Sequence, residues 1–385
     1  MKNLRFYPPA LNWAAILLLI SARLVLADGI SLAGYTSVVP GVDYLHVTDT
    51  NYPWSIHIAR LDRAHPEFEL IATHAKNEIT ALGTVVSQVE SLGTNAGKAI
   101  VAVNADFFVI AKGPYQGDPR GLQVINGELS SAPMDATFWT EPKGEFHVGK
   151  VTSQFTVKWP NGKKSHLALN ESRATNGPGV VLFTPRFGTS TRTTNGLEFV
   201  LEAVPGKPWL PLRVDQDYVA RVREVHSFSD TAIAADTMVI SIAPEMAAQC
   251  ADIHPGDKLK ISTDTSPDVQ RAVYAVGGRP VLMEHGRSLN FPADKTAKKN
   301  LAPRTAIGWN KKYFYFMVVD GRQKDLSMGM TFGEMAEFMK QLGCTDALNL
   351  DGGGSTTFWL DGKVLNSPSD KHLRTVANAL ILVKH

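Results

Sequence analysis

Short runs of alternating apolar and polar residues recur along most of this 385-residue chain. In "DYLHVTDT" and "WSIHIARLDR", for example, about every second side chain is apolar. A period of two is typical of β-strands with one buried face. Between about residues 110 and 270, segments rich in Gly, Pro, Thr and Ser separate similar runs, which indicates turns between many short strands. The chain is therefore expected to fold mainly as β-sheet.

Two stretches have helical spacing instead. "TALGTVVSQVESLG" places its apolar residues on one side and ends at Gly93. "TFGEMAEFMKQLGC" predicts an amphipathic helix, in which Thr331 and Glu334 can form a capping box and Gly343 can end the helix. The predicted fold class is α+β, with a large mixed or mostly antiparallel β-sheet core and a few helices in a single domain.

The first residues have the three parts of an export signal. Lys2 and Arg5 give a positive start, "AAILLLI" lies in an apolar run, and Val25 and Ala27 occupy the positions that a signal peptidase reads. The apolar run is too short to span a bilayer comfortably. We expect cleavage after Ala27, no stable membrane insertion afterwards, and a secreted or periplasmic protein.

Composition and motifs exclude several common functions. The formal net charge is +2 and there is no long basic run, so no nucleic-acid partner is expected. The chain has no P-loop, dinucleotide fingerprint, nucleophile elbow, zincin motif or calcium loop. Its two cysteines, Cys250 and Cys344, can pair or remain free, and their spacing fits no zinc site. We expect no cofactor, and no ligand spacing requires a metal ion.

The stretch "LNLDGGGSTTFWLDG" combines an acid, bare backbone and hydroxyls within a few residues. Asp351 ends an apolar run, glycines 352–354 follow, and Ser355, Thr356 and Thr357 come next. Glycine lets backbone N–H groups approach a ligand closely, and such groups can bind an oxyanion. The alternative is a tight turn in which backbone donors satisfy Asp351. The residues alone leave both interpretations open.

Other predicted strand ends carry acids and arginines as well. Loops at strand ends are where scaffolds hold reactive groups. Carboxylates suit proton transfer and guanidinium groups suit phosphate, so this combination fits a substrate with both a glycosidic centre and a phosphate. The residues are Asn104 and Asp106 in "VNADFF", Arg304 in "PRTAIG", Asp320 and Arg322 in "VVDGR", and Arg374 before the last strand.

An ordered series of motifs over roughly residues 98–384 resembles the phosphodiester glycosidase family. The motifs are "VNADFF", "GDPRGLQVINGEL", "VVLFTPRFGTST", "AVGGRPVLMEHG", "PRTAIGW", "VVDGR", "GMTFGEMAEFMKQLGCTDALNLDGGGSTTFW", "LNSPSD" and "RTVANALILV". The resemblance implies an exo-acting hydrolase that releases a sugar joined through its anomeric carbon to a phosphodiester and leaves a phosphomonoester. Its expected partner is therefore a glycan or sugar-phosphate substrate.

The signal pattern and the extent of the resemblance give the predicted domains, and the resemblance also implies the site residues. Residues 1–27 are the predicted signal peptide, 28–97 are strands and a helix packed on the catalytic domain, and 98–385 are that domain. Ser367 stands where family members often carry Arg, a departure that bears on leaving-group recognition. Glu334 is a reserve carboxylate that is better explained as a helix cap. The implied catalytic residues are Asp106, Asp351 and Asp320, and the implied substrate-binding residues are Asn104, Arg304, Arg322, Gly352, Gly353, Ser355, Thr356 and Arg374.

Two other functions fit the same sequence. One is an exported carbohydrate- or polymer-binding protein without turnover, in which Trp139 and Trp159 would be exposed for sugar stacking. The other is a phosphodiesterase that cleaves the P–O bond instead of the glycosidic C–O bond.

Overall fold

The structure is a computed structural model that describes residues 33–49, 53–173, 179–289, 291 and 300–385. The predicted signal peptide lies outside the described residues. Within the part described, no helix is both long enough and apolar enough to cross a membrane.

Short strands make up most of the regular secondary structure of the described chain, and the helices are few. The first fourteen strands are β1 (Thr36–Val39), β2 (Val42–Asp49), β3 (Trp54–Asp62), β4 (Phe68–His74), β5 (Lys98–Asn104), β6 (Gln123–Ile125), β7 (Glu128–Ser131), β8 (Ala136–Glu141), β9 (Glu145–Lys150), β10 (Thr152–Ser153), β11 (Thr156–Lys158), β12 (Lys164–His166), β13 (Ala168–Leu169) and β14 (Val180–Phe183). The others are β15 (Leu197–Ala203), β16 (Asp217–His226), β17 (Met238–Ile242), β18 (Lys258–Ser262), β19 (Thr265–Ser266), β20 (Tyr274–Gly277), β21 (Val281–Glu284), β22 (Arg287–Ser288), β23 (Arg304–Trp309), β24 (Tyr313–Val319), β25 (Asp346–Asn349), β26 (Phe358–Leu360), β27 (Lys363–Val364) and β28 (Asn378–Lys384). The α-helices are α1 (Val85–Glu90), α2 (Pro244–Ala247) and α3 (Phe332–Gln341).

Four sheets contain nearly all of these strands. Sheet one has the order β1-β2-β3-β24-β23-β25-β21-β22, and sheet two has the order β27-β26-β5-β28-β4. Sheet three is β7-β6-β20-β8-β9, and sheet four is β12-β11-β18-β16-β15-β17-β14-β13. Apart from the parallel pair β13–β14, neighbouring strands in these sheets are antiparallel. The predicted α+β class with a mostly antiparallel core is confirmed.

Sheet one separates two hydrophobic cores, and strand β24 shows how its sequence does this. Phe314, Phe316 and Val318 pack into the core shared with sheet two. Tyr315, Met317 and Val319 point to the other face, which α3 covers. Successive side chains of a strand point to opposite faces, so an uninterrupted apolar run can fill both cores. Burial on both faces therefore fixes the position of the polar residues that follow the strand.

Helix α3 begins as its sequence predicts. The Thr331 side chain accepts a hydrogen bond from the Glu334 N–H, and the Glu334 carboxylate accepts one from the Thr331 N–H, which completes the capping box. Met335, Phe338 and Met339 face the core beneath the helix. Glu334 is thus used as a helix cap, in agreement with the prediction.

The other predicted helix is shorter than its sequence pattern. It covers only Val85–Glu90, with Thr84 as the N-cap. Within residues 28–97, β3 pairs with β24 and β4 pairs with β28. The described part of that segment therefore contributes strands to sheet one and to sheet two. The domain boundaries themselves remain a prediction.

Two questions left by the sequence are answered by burial. Cys250 and Cys344 are free thiols in separate hydrophobic clusters. Trp139 and Trp159 are 8% and 5% exposed, so they are core residues and not the exposed sugar-stacking platforms suggested for a binding protein. That suggestion was wrong because single Trp residues in β-strands usually fill the core.

Candidate functional site

The ends of β5 and β25 meet next to the glycine turn. The Asp351 N–H donates to the Ala105 carbonyl (2.8 Å), and the Asn104 side-chain amide donates to the Asp351 carbonyl (2.7 Å). The Asn104 side-chain oxygen accepts from the Thr305 hydroxyl (2.8 Å) and from the Thr357 N–H (3.1 Å). Asn104 is buried and joins three segments at this point, so its contacts position the turn.

Asp106 lies two residues beyond β5 and is 3% exposed. Its Oδ2 accepts from the Gly121 N–H and from the Gln123 side-chain amide, both at 2.8 Å. Burial raises the pKa of Asp106 to about 7, since the donated hydrogen bonds offset only part of the desolvation and the nearby Asp351 charge adds to it. A carboxyl with such a pKa can exchange a proton near neutral pH.

A second layer of polar groups orients Asp106. The Asn378 side chain accepts from the Asp106 N–H (2.8 Å) and donates to the Gln123 side-chain oxygen (2.9 Å). His74 also lies against Gln123 (3.4 Å), and burial lowers the pKa of His74 to about 4. With His74 neutral, this layer contributes hydrogen bonds and no positive charge to the Asp106 carboxyl.

The triglycine segment forms a single tight turn. Gly353 has φ = 63°, a left-handed conformation that favours glycine, and its N–H donates to the Pro303 carbonyl (2.9 Å). A Cβ at Gly352 would lie 2.7 Å from the Pro303 carbonyl oxygen. A Cβ at Gly354 would collide with the Arg374 and Asp370 side chains. The glycines are required because the backbone passes against two other segments.

Asp351 is half-buried at the start of this turn. Desolvation raises its pKa, against the lowering effects of the Ser355 hydroxyl, the Gly352 N–H, Arg374 and Arg279. The Gly352 N–H donates to the Asp351 carboxylate at 2.8 Å. The charges of two guanidinium groups therefore act on Asp351, whereas Asp106 is held by neutral amides.

Arg374 is fixed beside the turn by another acid. Its Nε and Nη2 both donate to Asp370 Oδ2, at 2.9 and 2.6 Å, and its Nη1 donates to the Ser355 hydroxyl at 3.4 Å. The pairing with Asp370 holds the guanidinium in place next to Ser355 and Asp351.

Arg322 and Arg304 also lie near the glycine turn. Arg322 has its guanidinium 3.1 Å from the position a Gly353 Cβ would take. Arg304 donates to the Met330 and Asn300 carbonyls (2.9 and 2.8 Å) and lies over the Phe332 ring. Burial lowers the pKa of Arg304 to about 10, and the Arg322 charge adds to that effect. The geometry therefore favours Arg322 over Arg304 for contact with an anion, while the substrate-binding role of each stays a prediction.

Asp320 has a different environment from the other two predicted catalytic acids. It is 1% exposed, and its Oδ2 accepts from the Ser55 hydroxyl (2.8 Å) and lies 3.3 Å from His57 Nε2. Its Oδ1 accepts from the Ser367 N–H (2.7 Å) and the Asn366 amide (3.4 Å). Both oxygens are used in internal contacts, so this geometry does not favour Asp320 as a group that touches substrate.

Thr356, a predicted substrate-binding residue, is also buried. Its side chain is 1% exposed and its hydroxyl oxygen has no hydrogen-bond partner among the described residues. Its carbonyl accepts from the Asn366 amide (3.1 Å), which ties the glycine turn to the segment that binds Asp320.

Two arginines at this site were missed from the sequence. Arg120 and Arg279 line a surface pocket together with Asp106. Arg279 lies over the Phe107 ring at 5.1 Å and is one of the charges acting on Asp351. Each arginine adjoins a glycine in a motif quoted above, but nothing local indicates that its side chain reaches the Asp106 region.

Two further acids, the buried Asp118 and the half-buried Glu171, were missed as well. Burial raises the pKa of Asp118 well above its usual value, and the charges of Glu171 and Asp106 act in the same direction. Burial also raises the pKa of Glu171, with Arg120 opposing it. Asp118 follows a predicted turn in the sequence, and no local pattern separates it from an ordinary turn residue.

One group of side chains elsewhere has the spacing of metal ligands. Glu141, Glu145 and His147 bring their ligand atoms within 4.8 Å of one another. Glu141 is already paired with Arg271 at 3.0 Å. These residues belong to β8, β9 and the turn between them, and none contributes to the site described above. The prediction of no metal stays a prediction.

A model of the phosphodiester glycosidase family matches residues 213–383 of this chain. Over 71 residues, 18% of this chain, it is 41% identical to the N-acetylglucosamine-1-phosphodiester alpha-N-acetylglucosaminidases of Bos taurus and Homo sapiens. The matched segment spans only 13% of each of those proteins.

Solved structures share the fold over most of the chain. A hypothetical protein from Synechocystis superposes with a TM-score of 0.72 and 19% identity, over 93% of this chain and 65% of that one. A Burkholderia pseudomallei protein whose name suggests export has a TM-score of 0.65 and 20% identity, over 86% of this chain and 74% of that one. At these identities the likeness concerns the fold alone. The family match confirms the resemblance drawn from the sequence motifs: residues 213–383 match the phosphodiester glycosidase family.

Proposed function

We propose that this protein is an exported hydrolase that releases a sugar from a sugar-1-phosphodiester by cleaving the glycosidic C–O bond. The observation that carries the proposal is the pair of unlike carboxyls at the ends of β5 and β25. Asp351 is flanked by Arg279 and Arg374, and Asp106 is buried close by with a pKa of about 7. Carboxyls whose environments differ in this way suit separate roles in one reaction.

The arginines suit the phosphate. Arg279 and Arg374 approach Asp351 from other segments, and Arg322 lies against Gly353. Guanidinium groups bind phosphate oxygens through paired hydrogen bonds. Since a departing phosphomonoester is already an anion, its stabilisation by fixed positive charge is the larger expected contribution to the rate.

The carboxyls suit the sugar. Asp351, next to the arginines that would hold the phosphate, is placed to stabilise or attack the anomeric carbon as the C–O bond weakens. Asp106 takes the proton from water. In the net reaction the bond from the anomeric carbon to the phosphate oxygen breaks and its electron pair leaves with the phosphate. A water oxygen bonds to the anomeric carbon, and the water proton passes through Asp106 to solvent.

Hydrolysis in water labelled with oxygen-18 tests this proposal. Methyl phosphodiesters of glucose, mannose and N-acetylglucosamine, each joined at the sugar C1, form a suitable panel. We expect the label in the released sugar and none in the methyl phosphate. Label in the phosphate would mean P–O cleavage, and binding without release would favour a carbohydrate-binding protein.

Export is part of the proposal and has its own test. It is supported by the signal-like pattern of residues 1–27. The N-terminal sequence of the protein recovered from outside the cytoplasm is expected to begin at Asp28. A protein that stays in the cytoplasm with residues 1–27 attached would contradict this part.

A further inference from the structure

Several large apolar side chains that face solvent lie in chain segments that carry candidate site residues. Among the described residues six are more than a third exposed: Ile110, Met134, Phe228, Leu289, Leu326 and Met328. Four of them lie in segments that carry site residues, and we call these four the apolar rim: Ile110, Met134, Leu326 and Met328. Single exposed apolar residues need no explanation, whereas a group around one cleft indicates that something apolar binds there.

Met134 has the most informative position. It is 53% exposed and lines the same surface pocket as Asp106, Arg120 and Arg279. Phe107 forms part of the pocket wall. Two arginines and an apolar surface therefore share one small pocket beside the Asp106 carboxyl.

The remaining rim residues lie on loops next to site residues. Ile110 follows Asp106 in the segment where the Phe107 carbonyl accepts from the Arg120 N–H. In another segment, the Arg322 N–H donates to the Met328 carbonyl (3.4 Å). Exposed apolar side chains thus occur in the same segments as Arg120 and Arg322.

We propose that the substrate is a sugar-1-phosphodiester whose second ester group is an apolar chain, of the alkyl or isoprenoid type. The inference rests on the proposed function. The sugar C1 faces Asp351 and Asp106, Arg279 binds the phosphate, and the chain leaves the phosphate along Phe107 and Met134. The chemistry of the pocket favours this substrate. Arginine beside apolar surface matches a phosphate joined to a hydrocarbon chain, and it does not match a phosphate joined to a second sugar.

The experiment compares two esters that differ only in chain length. The methyl and hexyl phosphodiesters of one sugar, taken from the panel above, are hydrolysed at concentrations where the hexyl ester forms no micelles. Burying several methylene groups on Met134 and Phe107 is expected to raise kcat/KM for the hexyl ester at least about tenfold over the methyl ester. Equal values for the two esters would overturn the inference while leaving the proposed function intact.

Two variants test whether Met134 causes the preference for the hexyl ester. Met134→Ser is expected to reduce the hexyl-to-methyl ratio to below about threefold. Phe228→Ser is the matched control, because Phe228 is 61% exposed and packs on His226, away from the site segments. It should keep the wild-type ratio. A ratio that falls equally in both variants, or in neither, would contradict a chain bound at Met134 and would favour a membrane or protein partner for the apolar rim.

A failure of the proposed function gives a different result. In that case neither ester releases sugar, and calorimetric titration of the same two esters decides the apolar preference alone. Tighter binding of the hexyl ester that is lost in Met134→Ser would support the inference for a protein without turnover. Equal binding of both esters would overturn it.

Discussion

Asp320 and Asp351 follow two strands of sheet one that lie on either side of β23, and each is followed by glycine, yet their surroundings differ. Asp320 follows β24 and is enclosed by Ser55, Asn366 and Ser367. Asp351 follows β25, is half-buried, and faces arginines. Removing the acid from the enclosed region should cost stability, and removing it from the open region should cost activity.

The largest expected effect is on turnover by Asp351→Asn. Loss of the charge beside the anomeric carbon should lower kcat by roughly 10³-fold, the size found when one essential catalytic group is removed. The free energy of unfolding should change little, since burial already disfavours the charged form of Asp351.

Sugar release and urea unfolding measure the two quantities for Asp351→Asn. Asp361→Asn is the matched control, because Asp361 also precedes a glycine and its partner is the exposed Lys98. Wild-type kcat in Asp351→Asn would remove Asp351 from the mechanism.

The opposite pattern is expected for Asp320→Ala. The hydroxyl of Ser55 and the N–H of Ser367 would lose a buried charged acceptor, at a cost of about 3 kcal/mol in the free energy of unfolding. Chemical unfolding of Asp320→Ala and Asp351→Ala should show the larger loss in the former. Asp320→Asn should recover part of it, because the amide oxygen can still accept one of these bonds. A stable Asp320→Ala protein without activity would show that Asp320 acts in catalysis after all.

The contrast between the two aspartates also marks how far sequence reasoning reaches. The period-two run of β24 and the capping box of α3 are local patterns, and the structure has both as predicted. An aspartate before glycine is equally local, and it predicts a turn without saying what the carboxylate will face. That depends on segments far along the chain: Ser55 and Ser367 for Asp320, Arg279 and Arg374 for Asp351.

The same limit explains which residues were missed. Gln123 and Asn378 hold Asp106 from strands β6 and β28, which lie 255 residues apart in the sequence. Arg279 has no local feature that distinguishes it from a surface arginine. The family resemblance grouped the ends of β5 and β25, which meet in the structure, because ordered motifs carry tertiary information that a single motif lacks. It also grouped Asp320 with the other two acids, since a motif does not report burial.

Asp106 adds a pH dependence to stability and activity. Its pKa is raised from 3.8 to about 7 in the folded state, so between about pH 4 and pH 7 the folded chain binds a proton that the unfolded chain has released. The contribution of Asp106 to stability is therefore fully present below pH 3.8 and is lost as the pH rises through 7.

As the base that takes a proton from water, Asp106 must be ionised. The kcat/KM value should accordingly rise about tenfold per pH unit below 7 and level off above it. Asp106→Asn should be nearly inactive and should lose less stability between pH 4 and pH 8 than the wild type. A rate that falls through pH 7 would instead assign Asp106 the role of an acid.

The smallest effect is expected at Thr356, which lies between the two regions. Its carbonyl binds the same Asn366 amide that reaches Asp320, and its hydroxyl is buried without a partner among the described residues. Thr356→Val replaces that hydroxyl with a methyl group of similar size, so the free energy of unfolding should rise by about 0.5–1 kcal/mol and KM should stay within twofold. Ser355→Ala is the comparison, since it removes the hydroxyl that Arg374 contacts and should raise KM more. If KM rises in Thr356→Val as much as in Ser355→Ala, the Thr356 hydroxyl binds substrate. Thr356 would then belong to the open region with Asp351, and the enclosed region around Asp320 would begin at Asn366.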